Sequence, residues 1–174
     1  MQEADVARSR AIIAIFGSTE SWAITLAEGL GAEVAQRGGI VLSGGTGPGK
    51  EAVKESAIKG AGNHPWIGVD PNGPIGVEKN GAGLIVHTGL GHKRNYLEAH
   101  LCDAAVAIKG DDGTVSEATF ALSLGRPVAL AGSGWTTDRF VDDPTHAIRP
   151  EEMLKHRSGA SADCPQLIPT SIPY

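Results

Sequence analysis

Cysteine is scarce: Cys102 and Cys164 are the only two in 174 residues, and they stand far apart. They give neither the paired spacing of a zinc site nor a disulfide framework. A reducing, cytoplasmic setting is therefore expected, with Cys102, in its apolar context, a buried thiol. Basic excess is also lacking. A net charge of −5 and a pI near 5.6 leave no global field to attract nucleic acid or an anionic membrane. No apolar run approaches the ~20 residues that cross a bilayer. The opening MQEADVARSR has neither the apolar core nor the cleavage site of a secretory leader, so none is expected. Of the histidines, His64, His87, His100, His146 and His156 are unclustered and read as surface or structural residues; only His92 adjoins a candidate site. No metal centre is expected. An anionic ligand must then be held locally, by backbone dipoles and a few basic side chains.

Glycine is what the chain has in quantity: 24 residues, gathered at the ends of apolar runs rather than spread as a linker. Ala11 to Phe16, Ile40 to Leu42, Trp66 to Val69, Ala104 to Ile108 and Pro127 to Leu130 are short apolar runs of the kind buried parallel strands show, with Leu84 to Val86 a further short one. Helical spacing falls between them, over Ser21–Gln36, Lys50–Ala61, Lys93–Leu101 and Gly113–Leu124, with Gly38-Gly39 and Gly125 as stops. This alternation predicts right-handed crossovers and an α/β, three-layer Rossmann-like fold, its mostly parallel sheet carrying helices on both faces. Residues 1–10 read as a flexible N-terminal tail, 11–154 as the nucleotide-binding domain with a last short helix near Pro150, and 155–174 as a mobile C-terminal tail. At this length about 70% of the unfolded surface can be buried.

Ligands in such sheets sit beyond the carboxyl ends of the strands, where three glycine-rich turns fall here. Gly44-Gly45-Thr46-Gly47-Pro48-Gly49-Lys50 fits the start of a P-loop, but Glu51 stands where a Ser or Thr should reach magnesium and no Walker B strand stands out. A phosphate-contacting turn without magnesium chemistry fits, with Lys50 a candidate cation; so does a tight strand-to-helix turn whose glycines merely allow close packing. Gly17-Ser18-Thr19 either admits a ligand or caps the following helix. It is not the dinucleotide fingerprint. Lys109 to Glu117, KGDDGTVSE, brings Lys109, Gly110, Gly113 and Thr114 to a helix start. Thr114 and Glu117 also read as a capping box. Arg94 and Asn95 open the preceding helix, so Arg94 and Glu117 flank the same strand and can face one pocket. There the arginine would anchor phosphate and the glutamate act as a base or stabilise an oxocarbenium-like centre.

These motifs resemble those of the superfamily that holds the Lonely Guy phosphoribohydrolases, the lysine-decarboxylase-like proteins and the molybdenum cofactor carriers, also labelled SLOG. The hydrolases carry an arginine helix followed by P-G-G-x-G-T-x-x-E, and Lys109 to Glu117 stands in place of the latter. Arg94 matches the substrate-side arginine and Glu117 the catalytic glutamate. Thr88-Gly89, Cys102 to Ile108 and Leu124 to Val128 resemble the carrier branch more closely. Two departures stand out: Lys109-Gly110-Asp111 replaces Pro-Gly-Gly, and Lys50 sits where relatives commonly have an apolar residue.

The resemblance implies binding of a small phosphorylated ligand, a nucleoside monophosphate or molybdenum cofactor, with no cofactor required. It equally implies cleavage of the N-glycosidic bond of nucleoside 5′-monophosphates, with Glu117 and Arg94 catalytic. Expected ligand contacts are Gly17, Ser18, Gly44, Gly45, Thr46, Gly47, Gly49, Lys50, Arg94, Asn95, Lys109, Gly110, Gly113, Thr114 and Glu117. A homodimer or homotetramer is expected, with no nucleic-acid or membrane partner. A nucleotide-sensing module that signals through a partner is a third reading.

Overall fold

The computed structural model describes residues 10–17, 19–44, 52–110 and 112–132. Ser18, Gly45, Thr46, Gly47, Gly49, Lys50, Asp111, residues 1–9 of the expected N-terminal tail, the expected C-terminal tail and the expected helix near Pro150 lie outside the described residues.

The elements run β1 (Ile12–Gly17), α1 (Ser21–Gln36), β2 (Ile40–Gly44), α2 (Ala52–Ala61), β3 (Trp66–Asp70), β4 (Gly76–Asn80), β5 (Gly83–His87), α3 (Arg94–Leu101), β6 (Ala104–Ile108), α4 (Asp112–Ser123) and β7 (Val128–Ala131). A single 3-10 turn, Gly91–Lys93, leads into α3. One seven-stranded sheet results, ordered β4-β5-β3-β2-β1-β6-β7, in which only the β4–β5 pair is antiparallel.

Side chains on a strand alternate between faces, and β1 is buried on both. Ile13 and Ile15 pack against Ala23, Ala27 and Val34 of α1 and Val53 and Ala57 of α2. Ala14 and Phe16 face the other way, onto Ala99 of α3 and Ala118, Ala121 and Leu122 of α4. The sheet thus divides two apolar layers, and each fully buried large apolar side chain, such as Phe16 in the second, contributes roughly 1.5–3 kcal/mol. On the first face the helices approach closely through glycine. A methyl group on Gly31 would lie 2.0 Å from the carbonyl oxygen of Ala57, and one on Gly60 2.0 Å from that of Glu28.

Helix ends follow the expected stops. Gly38 (φ +75°) donates its N–H to the Ala35 carbonyl and Gly39 donates to Val34, closing α1; Gly125 (φ +70°) and Arg126 repeat the pattern after α4. β4 was not expected. Every one of its residues is exposed, so it lacks the apolar signal of a buried strand, and it forms by pairing with β5 through the turn at Gly81 (φ +57°). None of the described helices is long and apolar enough to cross a membrane.

Candidate functional site at the carboxyl edge

Strand order reverses at β1. Chain segments from β1 through β2 to β3 run one way with α1 and α2 on one face, while β6 and β7 lie on the other side of β1 with α3 and α4 on the opposite face. Open α/β sheets bind ligands at such a reversal, beyond the carboxyl strand ends. Gly17, Gly44, Asp70 and Lys109 stand at those ends.

Arg94, the first residue of α3, is only 8% exposed. Its Nη1 donates to the Val69 carbonyl oxygen at the end of β3 (3.3 Å) and to Oε1 of Glu98, one helical turn on. Its Nη2 lies 3.6 Å from Oε1 of Glu117 on α4. The two residues expected to share a pocket are therefore in ion-pair contact, through α3 packed beside α4. Glu98 is fully buried and Glu117 is 3% exposed. Opposite them stands Gly44. A methyl group there would lie 2.1 Å from Arg94 Nη1 and 2.6 Å from both Glu98 Oε1 and Lys54 Nζ. Three charged side chains thus converge on the one position in β2 without a side chain, and Glu117 adjoins them through Arg94.

Burial is the main influence on Glu98 and holds its carboxyl well above the usual carboxylate range. The charge of the neighbouring Glu117 raises it further, while Arg94 and Lys54 pull the other way. Its Oε2 is buried without a hydrogen-bond partner.

Several of the other expected contacts, among the described residues, have structural occupations. Asn95 Nδ2 donates to the Gly113 carbonyl (3.4 Å), tying α3 to α4. Gly110 makes room for Thr114, whose Oγ1 would lie 2.1 Å from an added methyl group. Gly17 admits the Ile108 carbonyl and Val53, at 2.9 and 3.1 Å from such a methyl. The capping box is corrected: α4 begins at Asp112, so Thr114 lies inside its first turn, buried, and Glu117 turns into the pocket towards Arg94. Lys109 sits at the rim, 3.5 Å from Glu20, whose carboxyl is held below its usual range by the Trp22 indole hydrogen bond first and by Lys109. His92 is exposed on the 3-10 turn, away from the buried charges.

Three participants were not anticipated. Glu98 had a readable signal, an opposite charge four residues after Arg94 on the same helix. Lys54 had none, because only tertiary packing brings α2 to the end of β2. His87, read as an unclustered structural or surface residue, bridges Asp70 Oδ2 at 2.9 Å and Glu78 Oε2 at 3.4 Å and so pins β4 to the end of β3.

A Rossmann-like sheet with a buried arginine–glutamate pair at its reversal point defines the class. Within it, residues 10–159 match the SLOG cluster4 family, and the chain belongs to that family. The molybdenum cofactor carrier protein of Chlamydomonas reinhardtii is 31% identical, with 70% of this chain and 76% of that one superposed at a TM-score of 0.61. The molybdenum cofactor binding protein of Rippkaea orientalis shares the fold at 24% identity and a TM-score of 0.64, over 86% of this chain and 98% of that one. An uncharacterized protein of Archaeoglobus fulgidus is 29% identical over 115 residues, 65% of this chain and 73% of its own length.

Proposed function

We propose that the protein binds a small phosphorylated, nucleotide-like ligand at the carboxyl edge of its sheet, as a carrier does. The observation that carries this reading is the convergence of Arg94 and Lys54 on Gly44, where the glycine-rich sequence between β2 and α2 begins. Two cations and a side-chainless backbone suit a phosphate group, which charge-assisted hydrogen bonds recognise. Arg94 and Lys54 would supply the ionic contacts. Gly45, Thr46, Gly47, Gly49 and Lys50 would add contacts to the phosphate, Gly113 and Thr114 would offer the start of α4, and Gly17, Ser18 and Lys109 would complete the ligand contacts. Molybdenum cofactor, which two of the structural relatives are named for, carries a phosphate on its pterin and is the cargo this reading favours. A homodimer or homotetramer goes with it, and sedimentation equilibrium tests that part.

Glu117 supports a second reading. It is a buried glutamate 3.6 Å from an arginine, and in this reading it would stabilise a developing sugar cation or activate water. In that case the protein cleaves nucleoside 5′-monophosphates to free base and ribose 5-phosphate. AMP incubated with purified protein and resolved by chromatography separates the readings. Free adenine from wild type but not from Glu117→Gln establishes the hydrolase. Binding of AMP or molybdenum cofactor by calorimetry, without turnover, establishes the carrier. Wild type that neither binds nor cleaves them, and that Arg94→Ala leaves unaltered, refutes both.

A further inference from the structure

The buried charge cluster contains one carboxyl for which neither reading has a use. Glu98 is fully buried, and only Oε1 is engaged, by Arg94; Oε2 has no hydrogen-bond partner. The titratable and charged groups that act on it come from every helix around it: Arg94 from α3 itself, Glu117 from α4, Lys54 from α2, and Cys102 just past α3. Burial first of all pushes the Cys102 thiol up to about 11, so it is neutral and adds no charge. The sheet contributes backbone alone, at Gly44 and the Val69 carbonyl.

With both carboxyls ionised, the two cations would be cancelled. The pocket would then offer an anion no net charge, and Glu98 Oε2 would be a charged oxygen buried without a donor. One proton shared by the carboxyls removes both difficulties. The protonated oxygen becomes a donor towards its neighbour, and Arg94, Lys54 and a single carboxylate sum to one positive charge. Two carboxyls held close in a buried site are known to divide one proton in this way.

We propose that Glu98 and Glu117 form a proton-sharing pair with Glu98 as its proton-bearing member, and that the pocket accepts a phosphate monoester only while that proton is in place. Glu98 is a positioning residue here: it fixes the charge and orientation of Glu117 and frees Arg94 for the ligand. The coupling rests on the phosphate-binding reading; the shared proton does not. Burial, and then the Glu117 charge, raise the Glu98 carboxyl well above its usual range, in the direction the pair requires. A group raised in this way favours the folded state fully below the ordinary glutamate pKa, and that contribution is lost as pH rises through the folded value.

Two measurements test it. First, wild-type protein carrying 13C-glutamate is titrated by NMR without ligand. One carboxyl resonance is expected to titrate far above the ordinary range and to vanish in Glu98→Gln; titration of every glutamate in the ordinary range overturns the pair. Second, AMP affinity is measured by calorimetry from about pH 7.5 to about pH 9.5, where a phosphate monoester, with its second pKa near 6, stays dianionic. Above the Glu98 transition, wild type is expected to weaken by up to about tenfold per pH unit, one proton's worth of linkage, and Glu98→Gln to lose this dependence. An alkaline weakening that persists in Glu98→Gln arises outside the pair and overturns the coupling. No AMP binding at any pH sinks the phosphate-ligand reading and the coupling with it, and the carboxyl titration alone then decides the shared proton.

Discussion

Three glycine-to-alanine substitutions add the same methyl group to three different surroundings, and the structure assigns each a different outcome. Gly29, on α1, has nothing within 4 Å of an added Cβ. Alanine there gains helix propensity, about 1 kcal/mol, and for a domain of this size each kcal/mol moves Tm by roughly 2–4 °C, so Tm should rise by that much. Gly31, two residues on, would place its methyl 2.0 Å from a backbone carbonyl of α2. Backbone cannot swing aside, so α1 and α2 must separate. Overpacking at the upper end of its usual cost, about 3 kcal/mol, less the same ~1 kcal/mol of propensity, leaves about 2 kcal/mol lost and Tm lower by roughly 4–8 °C.

Gly44 is about as tight by distance, but its neighbours are the tips of Arg94, Glu98 and Lys54. Those can move, so stability should fall by only about 1–2 kcal/mol. What they lose is their arrangement: disturbing one charged hydrogen bond is worth roughly 1.5–3 kcal/mol, which predicts at least about a tenfold weaker AMP affinity. Circular-dichroism melts and calorimetry on the three variants suffice. The reasoning fails if Gly31→Ala melts with Gly29→Ala, or if Gly44→Ala binds as wild type does.

Arg94→Met removes the partner of two buried carboxyls and should cost about 3–5 kcal/mol in urea denaturation; adding Glu98→Leu should recover much of it, since a buried pair replaced by apolar groups is often tolerated. The hydrogen bond to Asp70, then Glu78, raises His87 above its usual value, so its stabilising contribution is fully present below about pH 6.5 and fades as pH rises through the folded value. His87→Gln should flatten that part of a Tm-versus-pH curve, and an unchanged curve would show the contact to be idle. In a Cys164→Ser background, Cys102, with its thiol pushed up to about 11 chiefly by burial, should resist a thiol reagent at pH 8 until urea unfolds the protein.

The parallel core of the fold was readable from sequence because its signal is local. α1 and β6 fall on the expected residues, and the other expected elements are displaced by only one or two residues at their ends. β4 was unreadable because an exposed edge strand has no burial pattern; its partner's register alone makes it a strand. At the site, the meeting of Arg94 and Glu117 followed from topology, one residue on each of two helices flanking a single strand. The local reading of Thr114 and Glu117 as a capping box failed because tertiary charge pairing outbid a hydrogen bond worth about 1 kcal/mol. Lys54 and the depth of Glu98 required the packed structure, since neither helix spacing nor composition says which turn of α2 meets the end of β2.

Among the described residues, every buried side chain of full charge, Arg94, Glu98 and Glu117, belongs to α3 or α4. The layer formed by α1 and α2 is closed by alanine, valine and glycine-mediated contact, with only small hydroxyls buried at the sheet and on α2. Lys54 apart, which α2 sends to the end of β2, one side of the sheet therefore carries the durability of the molecule and the other its chemistry. An inherited change within the eight residues of α3 can alter what the pocket accepts while the opposite layer goes on holding the strands in register. Such a division lets a lineage explore new ligands without first surrendering its fold.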